Sequence, residues 1–384
     1  MKIAIVSMIR EPWGGSEELW AAMAAKALQQ GHTVAHSTWH FSHVADKEQQ
    51  LIEKGLLHIP RRGFVPAGTP VLIRLIKKAW YMLLNKISNP FSRLFALQPD
   101  LVLYNGTAYS IANEKQLLNL LYKKHIPYCI LAHFNNDHSR EITNDQAAVI
   151  RQSYQNAKKV FFVSSRTLDT AQRQLAMSIT NAQIVRNTVN LESLSIVPWP
   201  AQANVTQMAL VGNLVTIHKA QDLVLEILAG TEWKKRNWHL NIYGQGADEQ
   251  YLRQLTAFYQ LQDHVTFFGK VKDIRRLWAD NHILLMPSHM EGMPLAVVEA
   301  MICGRACVVT DVGGHTEWIE EGKEGFIAEA ASVYSFGKAM ERAWQQKHTW
   351  QQLGEQAHNK ALQLYGNDPA QSFLNAIEQI VKGK

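Results

Sequence analysis

The sequence predicts an α/β chain of two Rossmann-like, doubly wound lobes facing a central cleft. Three observations carry that expectation. Short β-rich apolar runs alternate with helical patterns along the whole chain. The runs are apolar throughout rather than every second residue, which means burial on both faces of a parallel sheet. The alternation pauses once, near Asn187–Asn204, where Pro198 and Pro200 flank Trp199, and divides the chain into halves of similar size.

The first lobe is assigned residues 1–190. Its expected strands are Ile3–Met8, Thr33–Thr38, Leu101–Asn105, Tyr128–His133 and Val160–Val163, with a helix over Glu17–Gln30, capped by Ser16 and closed by Gly31. The second lobe, 191–366, resumes with Met208–Val211, Leu240–Tyr243, Val265–Phe268, Ile283–Met286 and Ala306–Thr310, and a helix Ala220–Ala229 closed by Gly230. Residues 367–384 hold a last helix, Pro369–Val381, expected to cross back to the first lobe. In such a fold ligands sit at the carboxyl ends of the strands.

Composition bounds the function. The chain has 384 residues, 47% apolar and 19% charged, enough for a full core in each of two domains, which excludes a disordered chain. The 39 Lys and Arg against 33 Asp and Glu leave +6, too weak a bias for a dedicated nucleic-acid binder and suited to an anionic small molecule or acidic membrane surface. Three cysteines, Cys129, Cys303 and Cys307, cannot all pair and show no metal-ligand spacing; a reducing cytoplasm and no bound metal are the expectation. The N-terminal apolar run is too short for a secretory signal, and no run reaches the ~18 apolar residues of a membrane span.

The most informative segment is Ile283–Gly304. A buried strand ends at Pro287-Ser288, and a loop carries Glu291 and Gly292 past Met293. Pro294 suits the first helical position, where its missing N–H costs nothing, and Gly304 suits the left-handed cap. The free N–H groups around Leu295 and Ala296, with the helix dipole, make an anion site. Gly292 lets a ligand approach the backbone. Glu291 precedes the helix and Glu299 lies within it, seven residues between them. A phosphate at the tip with a sugar on each side is how such a pair would grip a nucleotide sugar. Read alone, the pair would be an ordinary helix start with two surface glutamates. The neighbours argue otherwise: Val211-Gly-Asn-Leu-Val-Thr-Ile-His-Lys219, Tyr243-Gly-Gln-Gly246, Phe267-Phe-Gly-Lys270 and Asp311-Val-Gly-Gly-His-Thr-Glu317 each place glycine after a strand, and Gly14-Gly15 follows the first strand.

Together these residues resemble the family 4 retaining glycosyltransferases of the GT-B fold (glycosyl transferases group 1), most densely from Met208 to Ala328. The sequence holds no Asp-x-Asp, the metal motif usual in the unrelated GT-A fold. The resemblance implies that Glu291 contacts donor-sugar hydroxyls and Glu299 the ribose. It implies that Gly14-Gly15 approaches the diphosphate and the acceptor, and that His133 meets the donor sugar near its anomeric centre. Gly244 belongs to the same set of donor-side glycine turns, and backbone groups at Gly269, Lys270 and Val271 hold the base. Lys219 stands where the family has a lysine on the diphosphate; the partner arginine six residues earlier is here Asn213. Another cation such as Arg10 or His218 takes over, the donor differs, or the enzyme is slow or silent. The implied reaction is metal-free retaining transfer of a hexose from a nucleoside-diphosphate sugar (UDP or GDP) to a glycan, lipid-linked or small-molecule acceptor in polysaccharide biosynthesis, with no cofactor. The competing readings are a silent glycan- or partner-binding protein and a sugar phosphorylase or epimerase of the same fold. A dinucleotide oxidoreductase is disfavoured, because no strand–helix turn has Gly-x-Gly-x-x-Gly spacing.

Residues Val71–Phe95 mix apolar and basic side chains, with Arg74, Lys77 and Lys78 beside Trp80, Tyr81 and Leu83. Two readings stand: a core helix of the first lobe with its basic residues in water, or an interfacial helix on an anionic membrane, making the protein peripheral on the inner face.

Overall fold

Two parallel sheets organise the chain. The structure, a computed structural model, describes every residue except 67, 202–204, 367 and 384. The end of the expected linker (202–204) and both ends of the expected terminal segment (367 and 384) therefore lie outside the described residues. One compact unit comprises Met1–Thr188 with Asp368–Lys384; the other comprises Val189–Asn367.

The first unit is built on β1 (Lys2–Ser7), β2 (Thr33–Ser37), β3 (Leu57–His58), β4 (Leu101–Gly106), β5 (Tyr128–Ala132), β6 (Lys159–Phe162) and β7 (Ala182–Ile184), in spatial order β3-β2-β1-β4-β5-β6-β7. Every pairing is parallel. The second unit has β8 (Thr206–Val211), β9 (Trp238–Tyr243), β10 (Val265–Gly269), β11 (Ile283–Met286), β12 (Ala306–Thr310) and β13 (Gly325–Ala328), in order β10-β9-β8-β11-β12-β13, again all parallel. The central strands β5, β11 and β12 are buried at every residue, which is why they read as unbroken apolar runs. Val102, Ile130 and Phe162 anchor the first core, and Leu240, Leu285, Val308 and Phe326 the second. In each sheet the order reverses beside the first strand of the unit, the topological switch point at which such sheets bind ligands.

The last helix, Pro369–Lys382, belongs to the first unit and buries Phe373, Leu374 and Ile377. Phe373 meets Phe161 edge-on at 5.0 Å, Asp368 pairs with Lys26 at 2.7 Å, and Glu378 reaches His32 at 3.0 Å.

Three expectations change. Pro198 and Trp199 lie in the second unit as packed structure rather than loose linker: the Arg305 guanidinium donates to the carbonyl oxygens of Val197 and Pro198 and stacks 5.0 Å from the Trp199 ring. Ser16 does not cap a helix; it lies in a short 3-10 turn and its hydroxyl donates to Glu17. The core reading of the basic segment fails, because the helix Val71–Ile87 buries none of its residues. Its half-buried positions are Arg74, Tyr81, Leu84 and Asn85, the mostly polar side. Arg62 donates to Asn85 and to the Leu84 carbonyl there. The opposite side, with Leu72, Ile76, Leu83 and Ile87, projects into solvent at 51–75% exposure.

Candidate active site

The second unit gathers its chemistry at the carboxyl ends of β8, β11 and β12. β11 runs into Pro287-Ser288, and the loop through Glu291 and Gly292 leads to the helix Leu295–Ile302; Pro294, expected as its first helical residue, is instead the non-helical N-cap residue before it. Gly304 closes that helix at φ +79°. The loops are laced by their backbones. Gly314 N–H donates to Gly292 C=O at 2.8 Å, and His289 and Met290 N–H donate to His218 C=O. Gly313 has φ +50°, and a Cβ there would fall 2.0 Å from the Glu291 carbonyl oxygen. Gly244 (φ +138°) is crossed as closely by Gly212. Only glycine permits these approaches. They leave the helix tip, whose first N–H groups have no partner within the helix, at the mouth of a glycine-lined turn.

Charge is placed just beside that tip. Lys219 Nζ donates to Glu291 Oε1 at 2.5 Å, and Ser288 Oγ donates to the same oxygen at 2.8 Å. Burial alone would push the Glu291 carboxyl up; the Lys219 ammonium, nearby His315 and the two hydrogen bonds outweigh it and hold the group below its usual range. His315 is fully buried and its pKa is lowered by that burial, against the pull of Glu291. Its Nδ1 lies 2.7 Å from the Thr310 carbonyl oxygen, so that nitrogen carries the proton.

Other expected residues fall around this centre in different ways. Glu299 is buried within the helix and accepts from the Asn190 backbone N–H at 2.9 Å. The Asn213 side chain is exposed, while its carbonyl accepts from Gln221. Gly269 ends the edge strand β10 at φ +67°, followed by exposed Lys270 and half-buried Val271. Sequence reasoning missed Ser288 and His315 as supports of Glu291, although both stand inside the motifs around it.

Gly14, Gly15 and His133 lie in the first unit. Gly14 is extended and precedes the 3-10 turn Gly15–Glu17. His133 follows β5 and lines a cavity of about 470 Å³ with Arg10, Glu17, Asn105 and Glu141. Burial depresses the imidazole to about 3, so it is neutral at physiological pH. Its Nε2 lies 2.7 Å from Asn105 Oδ1. Asn105 in turn donates to Glu17 at 2.9 Å, and Glu17 also accepts from Ser7, Ser16 and Trp20. Burial raises the Glu17 carboxyl above its usual range. This Glu17–Asn105–His133 chain leaves no signal in the sequence; its members are 116 residues apart and form no motif.

Among the described residues, His36, Glu48 and His58 form a cluster of possible metal donors. Both imidazole Nδ1 atoms contact one Glu48 oxygen, at 2.5 and 2.8 Å. Metal bonds of about 2.0–2.1 Å in a tetrahedral site would hold donor atoms roughly 3.4 Å apart. The observed spacing is that of hydrogen bonds, and the two histidines hold Glu48 down to about 2 against its burial.

The glycosyl transferases group 1 model matches residues 197–360, within the second unit and less than half of the chain. An uncharacterized glycosyltransferase of Haemophilus influenzae is 29% identical over 132 residues, 34% of this chain and 37% of that protein. One subunit of human phosphatidylinositol N-acetylglucosaminyltransferase is 28% identical over 232 residues, 60% of this chain and 46% of that protein. The matches thus span less than half of either relative. Anabaena HepE, solved in complex with UDP and glucose, superposes with a TM-score of 0.76 over 100% of both chains at 15% identity, a likeness of fold. The chain has the GT-B fold of two Rossmann-like domains, and its second unit carries the match to glycosyl transferases group 1.

Proposed function

We propose that the protein is a retaining glycosyltransferase that moves a hexose from a nucleoside-diphosphate sugar to a glycan, lipid-linked or small-molecule acceptor, with no metal required. The observation that carries the reading is the second unit's helix tip, approached by the glycine turns at Gly292 and Gly313 and flanked by Lys219 and Glu291. The tip and Lys219 would stabilise the growing negative charge of the leaving diphosphate, and Glu291 would hold donor hydroxyls. Glu299 would take the ribose, with the base against the backbone at Gly269–Val271. The first unit's cavity would take the acceptor side; neutral His133 on its wall would meet the donor sugar near its anomeric centre, and Gly14-Gly15 would approach the diphosphate and the acceptor. The acceptor attacks on the leaving-group face and a phosphate oxygen takes its proton, so catalysis rests on placement and electrostatics.

The test is incubation with UDP-, GDP-, ADP- and dTDP-sugars, with and without EDTA, reading donor hydrolysis by mass spectrometry. The expected result is EDTA-resistant hydrolysis of one donor, lost in Glu291→Ala. Thermal stabilisation by a donor without turnover would instead support the silent binding protein that Asn213 keeps in view.

The helix Val71–Ile87 supports a membrane partner. It carries Arg74, Lys77, Lys78 and Lys86 and no acidic residue, and its apolar side faces outward. That combination suits an anionic lipid surface, with the helix lying in the interface and the protein peripheral on the cytoplasmic face. Among the described residues no helix is long and apolar enough to cross a membrane. Co-flotation with anionic liposomes at low salt is the expected outcome; absence of co-migration would remove the idea.

A further inference from the structure

The pairing of Lys219 with Glu291 joins two groups that a nucleotide sugar would use separately. The ammonium suits the diphosphate and the carboxylate suits sugar hydroxyls. In the structure they contact each other at 2.5 Å, with side chains 24% and 9% exposed, so solvent screens the pair only partly. Both contacts to the carboxylate fall on Oε1, from Lys219 and from Ser288; among the described residues no hydrogen bond reaches Oε2. A second cation is not supplied by position 213, which is an exposed Asn.

The electrostatic consequence is direct. A nucleoside diphosphate without a sugar meets an ion pair of zero net charge, and a carboxylate that repels it. A sugar nucleotide brings hydroxyl donors as well, and Oε2 is open to accept them. Hydroxyls bound to Glu291 also draw its charge away from Lys219, freeing the ammonium for the phosphates. We infer that Glu291 is a specificity-determining residue that makes the second unit prefer the intact sugar nucleotide over the bare nucleoside diphosphate, by neutralising Lys219 until sugar hydroxyls engage the carboxylate. The consequence for turnover is that the spent diphosphate is held weakly and leaves. This rests on reading the second unit as the donor site.

The experiment measures binding to the full-length chain by calorimetry, using UDP, GDP, UDP-glucose and GDP-mannose. Glu291→Gln keeps the shape and removes the charge; Glu291→Ala serves where Gln disturbs folding, which circular dichroism checks. Both variants should bind the bare diphosphate about three- to tenfold more tightly than wild type, the range expected of a partly buried ion pair. They should bind the sugar nucleotide no better, so the preference for it falls by at least the same factor. In a Lys219→Met background the Glu291→Gln gain should vanish, because the ammonium it frees is gone. Unchanged or weaker binding of UDP or GDP in both single variants would overturn the inference while leaving the donor site standing. Failure of wild type to bind any of the four ligands would overturn the donor-site reading itself.

Discussion

The two units hold their polar groups by opposite means. In the second unit, backbone does much of the shaping: Gly212, Gly244 and Gly313 bring loops into close contact, Gly292 C=O accepts from the Gly314 N–H, and a helix tip presents amide groups. In the first, side chains do it: Glu17, Asn105 and His133 are buried and bonded in a line beside the cavity. A glycine turn can be read in a short window of sequence, because one position determines it. A side-chain network drawn from β4, the loop after β5 and the start of the first helix cannot. The region that matches the group 1 model is accordingly the backbone-built one.

The largest expected effect tests that contrast on one residue type. In Gly313→Ala the new Cβ would lie 2.0 Å from a backbone oxygen, which cannot swing aside, so the Glu291 loop must move. Loss of donor binding and of roughly 3 kcal/mol in stability should follow. In Gly14→Ala the new Cβ would meet only the far end of the Ile9 side chain, at 2.8 Å, with the backbone already extended. Its cost should stay within about 1 kcal/mol. Urea titrations of both variants give the comparison. Equal damage would mean that the first unit's turn is as tightly backbone-locked as the second's. Next in size, Lys219→Ala should lower the rate of donor cleavage on the order of 100-fold, as loss of a charge-stabilising donor does. An unchanged rate would place the diphosphate elsewhere.

What was legible follows the same division. All ten strands expected from sequence are present, within two residues at either end; nine are central strands whose burial keeps them largely apolar, and the tenth, β10, is an edge strand that is nonetheless apolar at Val265, Phe267 and Phe268. The three that sequence reasoning misses, β3, β7 and β13, are edge strands of two to four residues. An edge strand pairs on one side only and need not be a long apolar run, so Leu57-His58 and Ala182-Gln183-Ile184 leave little trace. In the candidate site, Glu291, Lys219 and the helix tip are legible from spacing, but their direct contact is not, since 72 residues separate the two side chains. The helix Val71–Ile87 misleads for a different reason. Periodicity reports that a helix has two faces; only the structure says that the apolar face is turned outward.

That helix offers the next prediction, on association with a surface. Replacing Leu72, Ile76 and Leu83 with Asp should cut co-flotation with anionic liposomes by more than about tenfold, since each removes a large apolar group from the interface. The melting temperature should scarcely move, because all three are exposed and surface changes usually stay within about 0.5 kcal/mol. A large fall in melting temperature would show that the outward face is packed in solution, against another copy or another part of the chain.

The last effect separates the units by pH. His133 in the first unit is depressed to about 3 by burial, with no charged partner opposing it. In the second unit the burial of His315 is opposed by the Glu291 carboxylate. A histidine whose folded pKa lies below its unfolded value of about 6.5 takes its proton in the unfolded chain first. Its neutral form therefore favours the native state fully above pH 6.5, and the advantage shrinks by ~1.4 kcal/mol per pH unit down to about 3. Glu48 runs the same way over a lower window, its contribution fading from about pH 4.5 towards 2. Between pH 6.5 and 5 the first unit should thus lose about 2 kcal/mol through His133. His133→Gln, which cannot titrate, should flatten the slope of stability against pH in that interval. The slope is read from urea midpoints at pH 6.5, 5.75 and 5.0. If it is as steep in the variant as in wild type, the acid sensitivity belongs to the other depressed histidines, His239, His282 and His315, all of them in the second unit.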